Sequence, residues 1–472
     1  MLPRTTAPLL LTLLWPLAEA AQTRVALDSV DRYVRAQLAK YRIPGLSVAV
    51  LRGDTLLLAR GYGYANVEAH APASDSTIYE SGSVAKQFTA AAVVMLSEEN
   101  RLSLDDSIIP FLPEGAARWR GITVRQLLTH TSGIPEFTDS TIDSCRNYTE
   151  DDLVRLAASQ PLEFAPGARW SYSSTGYVLL GVIIHRVTSV FWGDFLKDHI
   201  FTPLGMRTAR TISAADIVPN RAAGYHFVNG TLRNQDWVSP SLQSTADCCL
   251  LLSVDDLAKW AIALNHEKAL SRSGLEASLT PVRLTGGVTY PYGFGWHLTQ
   301  QRGWHRVGHS GSSEGFQATI QRYPDFGLTV IVLVNVAQSL PEAMAFGIAG
   351  IVQSELRAPH LLQHPVSEVQ PPTPLNRLLE DISLGNDSLQ TTNAFNAVIS
   401  DSTRMRFERR LRRERSWASL GCDDVAQRHI SRLATPIRWI CYAKGTNPEP
   451  GLLVTAYYGA DWRLAFLDLY SF

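Results

Sequence analysis

Gly82-Ser83-Val84-Ala85-Lys86-Gln87-Phe88-Thr89-Ala90-Ala91-Ala92-Val93-Val94-Met95-Leu96 is the stretch on which the reading of this chain turns. Val84, Phe88, Ala91, Ala92, Met95 and Leu96 form an apolar stripe at helical spacing, so a helix facing a core is expected. Gly82 suits the entry to that helix. Ser83 then stands at its tip, where free N–H groups and the helix dipole favour developing negative charge. Lys86 lies three residues on, on the same face, within reach of the Ser83 hydroxyl. A serine hydroxyl is a poor nucleophile until a base takes its proton. Lysines are scarce in this chain, and of Lys40, Lys86, Lys197, Lys259, Lys268 and Lys444 only Lys86 follows a serine by three positions.

A lysine is charged at neutral pH, so acting as a base requires a pKa lowered by roughly three units, about 4 kcal/mol. Burial and a nearby cation can supply that. Otherwise a second group must share the proton work. Tyr172, in Trp170-Ser171-Tyr172-Ser173-Ser174 after the turn at Pro166-Gly167, is the candidate. A third piece is Gly308-His309-Ser310-Gly311-Ser312, where Gly311 would let a substrate approach the backbone. The N–H of Ser312 and that of Ser83 would then form an oxyanion hole. Read alone, each of the last two segments is also an ordinary turn.

Around these motifs, residues 25–41 read as an amphipathic helix. Residues 46–51 and 55–61 read as strands joined by a hairpin at Gly53-Asp54. A mostly helical section follows, from about 83 to 265. Strands return at 292–300, 304–308, 316–323 and 328–335, with Asp325-Phe326-Gly327 as a turn, and a helix covers 341–356. This order predicts an α+β (α/β) domain over residues 22–357: one antiparallel sheet made by both ends of the domain, flanked by helices, with a helical insert. The cleft between sheet and insert is the expected place for a site. Prolines accumulate over 358–375, read as a linker. Residues 376–472 read as a small α+β accessory domain, helical near 390–415, with strands at 437–443, 452–458 and 462–469.

Ser-x-x-Lys, then a Tyr-x-Asn-like triplet, then His-x-Gly, in this order, resembles the signature of serine β-lactamases and penicillin-binding proteins. The resemblance is to their class C-like branch, which includes D-alanyl-D-alanine carboxypeptidases, D-aminopeptidases and esterases. Leu127-Leu128-Thr129-His130-Thr131-Ser132-Gly133-Ile134 and Ser253-Val254-Asp255-Asp256-Leu257-Ala258-Lys259-Trp260 match two further segments of that branch. The resemblance covers about residues 25–355. It implies catalytic Ser83, Lys86 and Tyr172, substrate or oxyanion contacts from Ser174, His309, Ser310, Gly311 and Ser312, a Ser83 acyl-enzyme released by water, and neither metal nor organic cofactor. Ser174 replaces the usual asparagine, His309 the usual lysine, and Cys248 and Cys249 usual glycines. Those departures point away from efficient β-lactam hydrolysis, and peptidoglycan stem peptides, other D-amino-acid peptides, β-lactams and small esters all remain open as substrates.

Apolar residues make up 45% and charged residues 18% of the chain, enough for a packed core, and the net charge of -1 gives no sign of a nucleic-acid partner. Arg4, an apolar run over 8–17 and Ala18-Glu19-Ala20 read as a signal peptide, residues 1–20, for a secreted or periplasmic protein without a membrane anchor. In that oxidising setting, Cys422–Cys441 is the favoured disulfide. A bond between the neighbours Cys248 and Cys249 would be strained, and one from either to Cys145 has no support. His360 and His364 sit in the proline-rich stretch and read as linker. The arginine-rich stretch 404–415 reads as a solvated helix face. Two rivals remain. Gly311-Ser312-Ser313-Glu314-Gly315 fits the Gly-x-Ser-x-Gly elbow of α/β-hydrolases, which needs a strand before it and a helix after it. The other rival is a non-catalytic, penicillin-recognising sensor with a decayed site.

Overall fold

The computed structural model describes residues 11–115, 117–137, 141–357, 371–383, 401–414, 416–428, 431–432, 435–446, 452–462 and 464–471. Helix α1 (Leu11–Lys40) precedes the hairpin β1 (Gly45–Arg52) and β2 (Thr55–Asn66), followed by the short edge β3 (Ala71–Pro72). Helix α2 (Lys86–Glu98) opens the insert, which also holds α3 (Ser174–Thr188) and α4 (Val254–Asn265). The chain then returns through β4 (His297–Gln301), β5 (Trp304–Ser313), β6 (Phe316–Tyr323), β7 (Leu328–Val334) and helix α5 (Pro341–Val352). The seven strands form one antiparallel sheet in the order β4-β5-β6-β7-β1-β2-β3. The two ends of the domain meet where β1 pairs with β7, Val48 opposite Val332.

Those central strands explain the layering. Every residue of β7 is buried, so both faces are covered, and side chains alternate between them. Val330, Val332 and Val334 pack with Val48 and Val50 of β1, Val30 and Val34 of α1, and Met344 and Ile348 of α5. Ile331 and Leu333 point the other way and join Ala49, Phe88 of α2, and Leu257 and Trp260 of α4. Burying each such side chain contributes roughly 1.5–3 kcal/mol. Trp260 also donates its indole N–H to Gln87 at 3.1 Å, which fixes α4 across the start of α2.

The structure departs from the sequence reading in several places. Helix α1 begins at Leu11 and runs through Pro16 and the expected cleavage region to Lys40; Leu17, Ala18, Glu19, Ala20 and Ala21 in that region are strong helix formers. Residues 292–296 are loop rather than strand. Gly295 has φ +75°, and a Cβ there would meet the Lys86 carbonyl at 2.8 Å. Strand β5 runs on to Ser313 instead of ending at Gly308, since its ladder with β6 continues through Gly311↔Ala318 and Ser312↔Gln317. That overturns the α/β-hydrolase elbow: Ser313 and Gly315 lie in a β-hairpin, and a strand, not a helix, follows. The insert is also less purely helical than expected. It contains a small sheet of Tyr79–Glu80, Leu250–Leu252 and Arg210–Thr211, and the hairpin Tyr225–Val228 with Thr231–Asn234.

The last part of the chain forms helices α6 (Leu375–Ser383) and α7 (Asp401–Leu411) and a four-stranded antiparallel sheet, β8 (Trp417–Asp424), β9 (Trp439–Gly445), β10 (Leu452–Tyr458) and β11 (Leu464–Ser471). Strand β8 went unread because Ala418, Ser419, Gly421, Asp423 and Asp424 have low strand propensity. It is held by its ladder with β9, in which Cys422 lies opposite Cys441 and is bonded to it. Cys248 and Cys249 are bonded to each other, against expectation, and Cys145 is a free, exposed thiol. One face of this sheet packs on α6 and α7 through Leu375, Leu379 and Leu411. The other face, with Ile440, Tyr457 and Phe466, shares a core with Trp170, Tyr290 and Tyr292. The Arg302 guanidinium grips the Asp423 carboxylate with two hydrogen bonds, at 3.0 and 2.7 Å, and the Tyr442 hydroxyl donates to the same carboxylate at 2.8 Å. His360, His364 and residues 358–370 of the expected linker lie outside the described residues, as do residues 1–10 of the expected signal peptide. Among the described residues no single helix is long and apolar enough to cross a membrane.

Candidate active site

The small sheet sets the nucleophile turn. Tyr79–Glu80 pairs with Leu251–Leu252, and the Ser81 N–H donates to Leu250 O at 2.8 Å. The chain then turns through one 3-10 turn, Gly82–Ala85, before α2 begins at Lys86. In that tighter winding the side chains at i and i+3 eclipse, and Lys86 Nζ lies 3.1 Å from Ser83 Oγ. The ammonium donates also to Ser174 Oγ at 3.1 Å and to Asp247 O at 2.7 Å. Its three protons thus have three oxygen acceptors. The Tyr172 ring centroid is 5.0 Å from Nζ and that of Tyr177 is 5.4 Å.

Lys86 is fully buried. Burial by itself pushes its pKa down, but the Tyr172 phenol, Asp247 and Glu136 outweigh it, and the net shift is upward. The resting amine is therefore charged. Of the two routes left open by the sequence, a lowered Lys86 pKa is not what these surroundings give, and the Tyr172 ring lies beside the amine.

Glu136 was not singled out from the sequence. Its carboxylate accepts the backbone N–H of Ser174, the first residue of α3. That is the positive end of the helix, a favourable place for an acid. Burial raises its pKa and Lys86 opposes that. Ser173 caps the same helix, its hydroxyl accepting from Gly176 N at 3.3 Å.

Strand β5 supplies the opposite wall. β4 pairs with it only as far as Gly308, so beyond that point this edge of β5 faces the nucleophile turn instead of a strand. The approach is close. A Cβ on Gly82, which has φ +49°, would lie 2.4 Å from Ser312 N, and one on Gly311 would lie 2.7 Å from Ser83 N. The backbones carrying the Ser83 and Ser312 N–H groups are thus in close contact. Ser312 is exposed, and its hydroxyl accepts from Gln317 at 2.8 Å; the Ser310 hydroxyl bonds Thr319 at 3.0 Å on the sheet.

His309 stands on the same strand, β5. It is 2% exposed, and burial first, then His297 and Lys86, hold its pKa well below the usual histidine value. It is neutral and offers no charge to a substrate carboxylate. His130, seen in the sequence only as part of a matched loop, is buried beside Tyr172 with ring centroids 4.4 Å apart, and is likewise kept neutral by burial and by Lys86. Its partner Tyr292 had no signal of its own in the sequence.

The Beta-lactamase family model matches residues 30–349 of the chain. This chain belongs to the Beta-lactamase family. Among relatives of that family, Penicillin-binding protein 4* of Bacillus subtilis (strain 168) is 31% identical over 316 residues, 63% of this chain and 69% of its own length. Protein flp of Staphylococcus aureus (strain MW2) is 30% identical over 317 residues, 65% of this chain and 63% of its own length, so the chain spans just under two thirds of that relative. The octameric penicillin-binding protein homologue from Pyrococcus abyssi superposes with a TM-score of 0.63 at 25% identity, covering 94% of this chain and 89% of that one. A D-stereospecific amidohydrolase from Streptomyces sp. superposes with a TM-score of 0.56 at 26% identity, covering 69% of this chain and 97% of that one. The expected Beta-lactamase-type fold is thereby established, and the family supports serine hydrolase chemistry in general terms.

Proposed function

We propose that this protein is an exported serine hydrolase that cleaves amide or ester bonds of small molecules or peptides through a Ser83 acyl-enzyme. The observation that carries the reading is the Lys86 ammonium bridging Ser83 Oγ and Ser174 Oγ, at 3.1 Å each, beside the Tyr172 ring. With Lys86 charged, it orients the Ser83 hydroxyl and stabilises negative charge as it develops. As Ser83 Oγ bonds to the substrate carbonyl carbon, its proton moves to the Tyr172 oxygen while Tyr172 hands its own proton to the nitrogen or oxygen of the scissile bond; that bond then breaks and its electron pair leaves on the protonated atom. The carbonyl oxygen, negative in the tetrahedral intermediate, is held by the Ser83 and Ser312 N–H groups. Water then repeats the sequence in reverse and frees the acid.

Neutral, buried His309 favours substrates without a carboxylate at that position, such as D-amino-acid amides and simple esters, over β-lactams. The D-stereospecific amidohydrolase neighbour supports the amide class. The test is a panel of D-amino-acid p-nitroanilides, p-nitrophenyl esters, D-Ala-D-Ala peptides and nitrocefin, with a fluorophosphonate label mapped by mass spectrometry. Turnover of amides or esters and a label on Ser83, both lost in Ser83→Ala, is the expected result. A folded protein that neither turns over any substrate nor labels at Ser83 would refute it.

A further inference from the structure

Tyr292 has no part in the proton steps above, yet its hydroxyl sits at the centre of the buried polar groups behind the site. It lies 3.1 Å from His130 Nε2 and 3.1 Å from His309 Nε2. All three side chains are buried, so each polar atom must find its partner within the protein.

The two outer contacts decide where the protons are. The Ser173 backbone N–H, which can only donate, points at His130 Nδ1 at 3.1 Å. Nδ1 is therefore an acceptor, and the neutral His130 ring carries its proton on Nε2. At the other end His309 Nδ1 lies 2.7 Å from the Ser310 carbonyl oxygen, which can only accept. His309 therefore carries its proton on Nδ1 and presents a bare Nε2. A hydroxyl accepts from one nitrogen and donates to the other. The chain of bonds has one direction: Ser173 N–H to His130, His130 Nε2–H to Tyr292, Tyr292 O–H to His309, His309 Nδ1–H to Ser310.

We infer that Tyr292 is a positioning residue that locks the Tyr172 loop to the oxyanion strand through two histidines of opposite tautomer. Its two ends are telling. Ser173 follows Tyr172 directly, and the His130 ring packs on the Tyr172 ring. Ser310 lies two residues before Ser312 on β5. The relative placement of the proton-handling phenol and the oxyanion donor thus passes through one hydroxyl. Phenylalanine fits the same space and leaves His130 Nε2–H without an acceptor and His309 Nε2 without a donor.

This rests on the hydrolase reading for its kinetic consequence, but not for the bonding pattern. Two measurements separate them. In 15N-histidine-labelled full-length protein at pH 7, with signals assigned from His130→Asn and His309→Asn variants, His130 is expected as the Nε2–H tautomer and His309 as the Nδ1–H tautomer. The same tautomer on both, or an imidazolium on either, overturns the inference whether or not the protein turns over substrate. In Tyr292→Phe, the rate of fluorophosphonate acylation at Ser83 is expected to fall about 10- to 100-fold, the scale of a misplaced reacting group, with KM for an ester changed less than about threefold. In a Tyr172→Phe background the same substitution is expected to add nothing, because it acts through Tyr172. Tyr292→Phe acylating within about twofold of wild type, or losses that multiply in the double variant, overturns the positioning role. Wild type that labels nowhere overturns the hydrolase reading and leaves the tautomers to decide the bonding. The tautomer measurement needs only the wild-type fold, so a Tyr292→Phe that fails to fold does not shelter the idea.

Discussion

Gly311→Ala isolates the contact between β5 and the nucleophile turn. An alanine Cβ there would lie 2.1 Å from Ser81 O, 2.7 Å from Ser83 N and 2.9 Å from Gly82 C, where ordinary contact begins near 3.4 Å. All three atoms are backbone, so no flexible side chain can swing aside, and the two segments must part by about 1.3 Å. That displacement separates the Ser83 and Ser312 N–H groups. A misplacement of about 1 Å costs on the order of 100-fold in rate, and loss of one oxyanion donor costs about 100- to 1000-fold, or about 2.7–4 kcal/mol. Acylation of Ser83 is therefore expected to slow by about 100- to 1000-fold. Stability should fall by about 1–3 kcal/mol, the usual effect of overpacking. The assay is the time course of fluorophosphonate labelling alongside a denaturant titration. Gly286→Ala is the control, since a Cβ there meets nothing within 4 Å. If folded Gly311→Ala labels within about fivefold of wild type, the oxyanion role proposed for the Ser83 and Ser312 N–H groups is wrong.

Ser174→Ala removes one of three acceptors of the buried Lys86 ammonium; acylation is expected to drop about 10-fold and stability to fall by about 1.5–3 kcal/mol, the scale of a hydrogen bond to a charged group, read from a denaturant titration. Arg302→Met removes both guanidinium hydrogen bonds to Asp423 and keeps the one from Tyr442. Because both partners keep some exposure, the loss should be about 2 kcal/mol, below the 3–5 of a fully buried pair, read from the guanidinium unfolding curve. Burial holds His130 and His309 well below 6.5 and pulls His297 down to about 4. The unfolded chain therefore takes up protons that the folded one refuses. The stability these histidines contribute is full above about pH 6.5 and is lost as pH falls below it, each contributing a slope of up to about 1.4 kcal/mol per pH unit. Glu80 and Glu136, raised by burial, act in the opposite sense over part of that range. His297→Gln should reduce the slope between pH 6.5 and 5 by up to one proton, measured from midpoints at several pH values; an unchanged slope contradicts the assigned shift.

What could be read from the sequence follows from how local each signal is. Ser83 and Lys86 meet within one turn, so spacing alone brings them together. The alternating valines and isoleucines of 328–334 announce a strand buried on both faces, and the hairpin at Gly53-Asp54 fixes its neighbour's partner. Tyr172 needed the order of three motifs. The remainder depends on partners far apart in the chain. His130 meets Tyr292 across 162 positions, and a lone histidine in a Thr-His-Thr run carries no mark of that. Glu136 acquires its role only because α3 begins against it. The upward shift of Lys86 could not be read from its own segment, because Tyr172, Asp247 and Glu136 all arrive from the insert. The reach of β5 past Gly308 was hidden by glycine and serine, which look like a turn until a neighbouring strand pairs with them.

The stacked rings that join the two sheets also bear on how such a protein can be re-engineered. Phe466 touches Tyr290 edge-on at 6.1 Å, Tyr290 lies flat on Trp170 at 4.1 Å, and Trp170 stands two residues ahead of Tyr172. A substitution on the outlying strand therefore has a ring-by-ring route to the reactive phenol. Grafting that sheet from one homologue to another would succeed only if Tyr290 and Trp170 travelled with it as a single block.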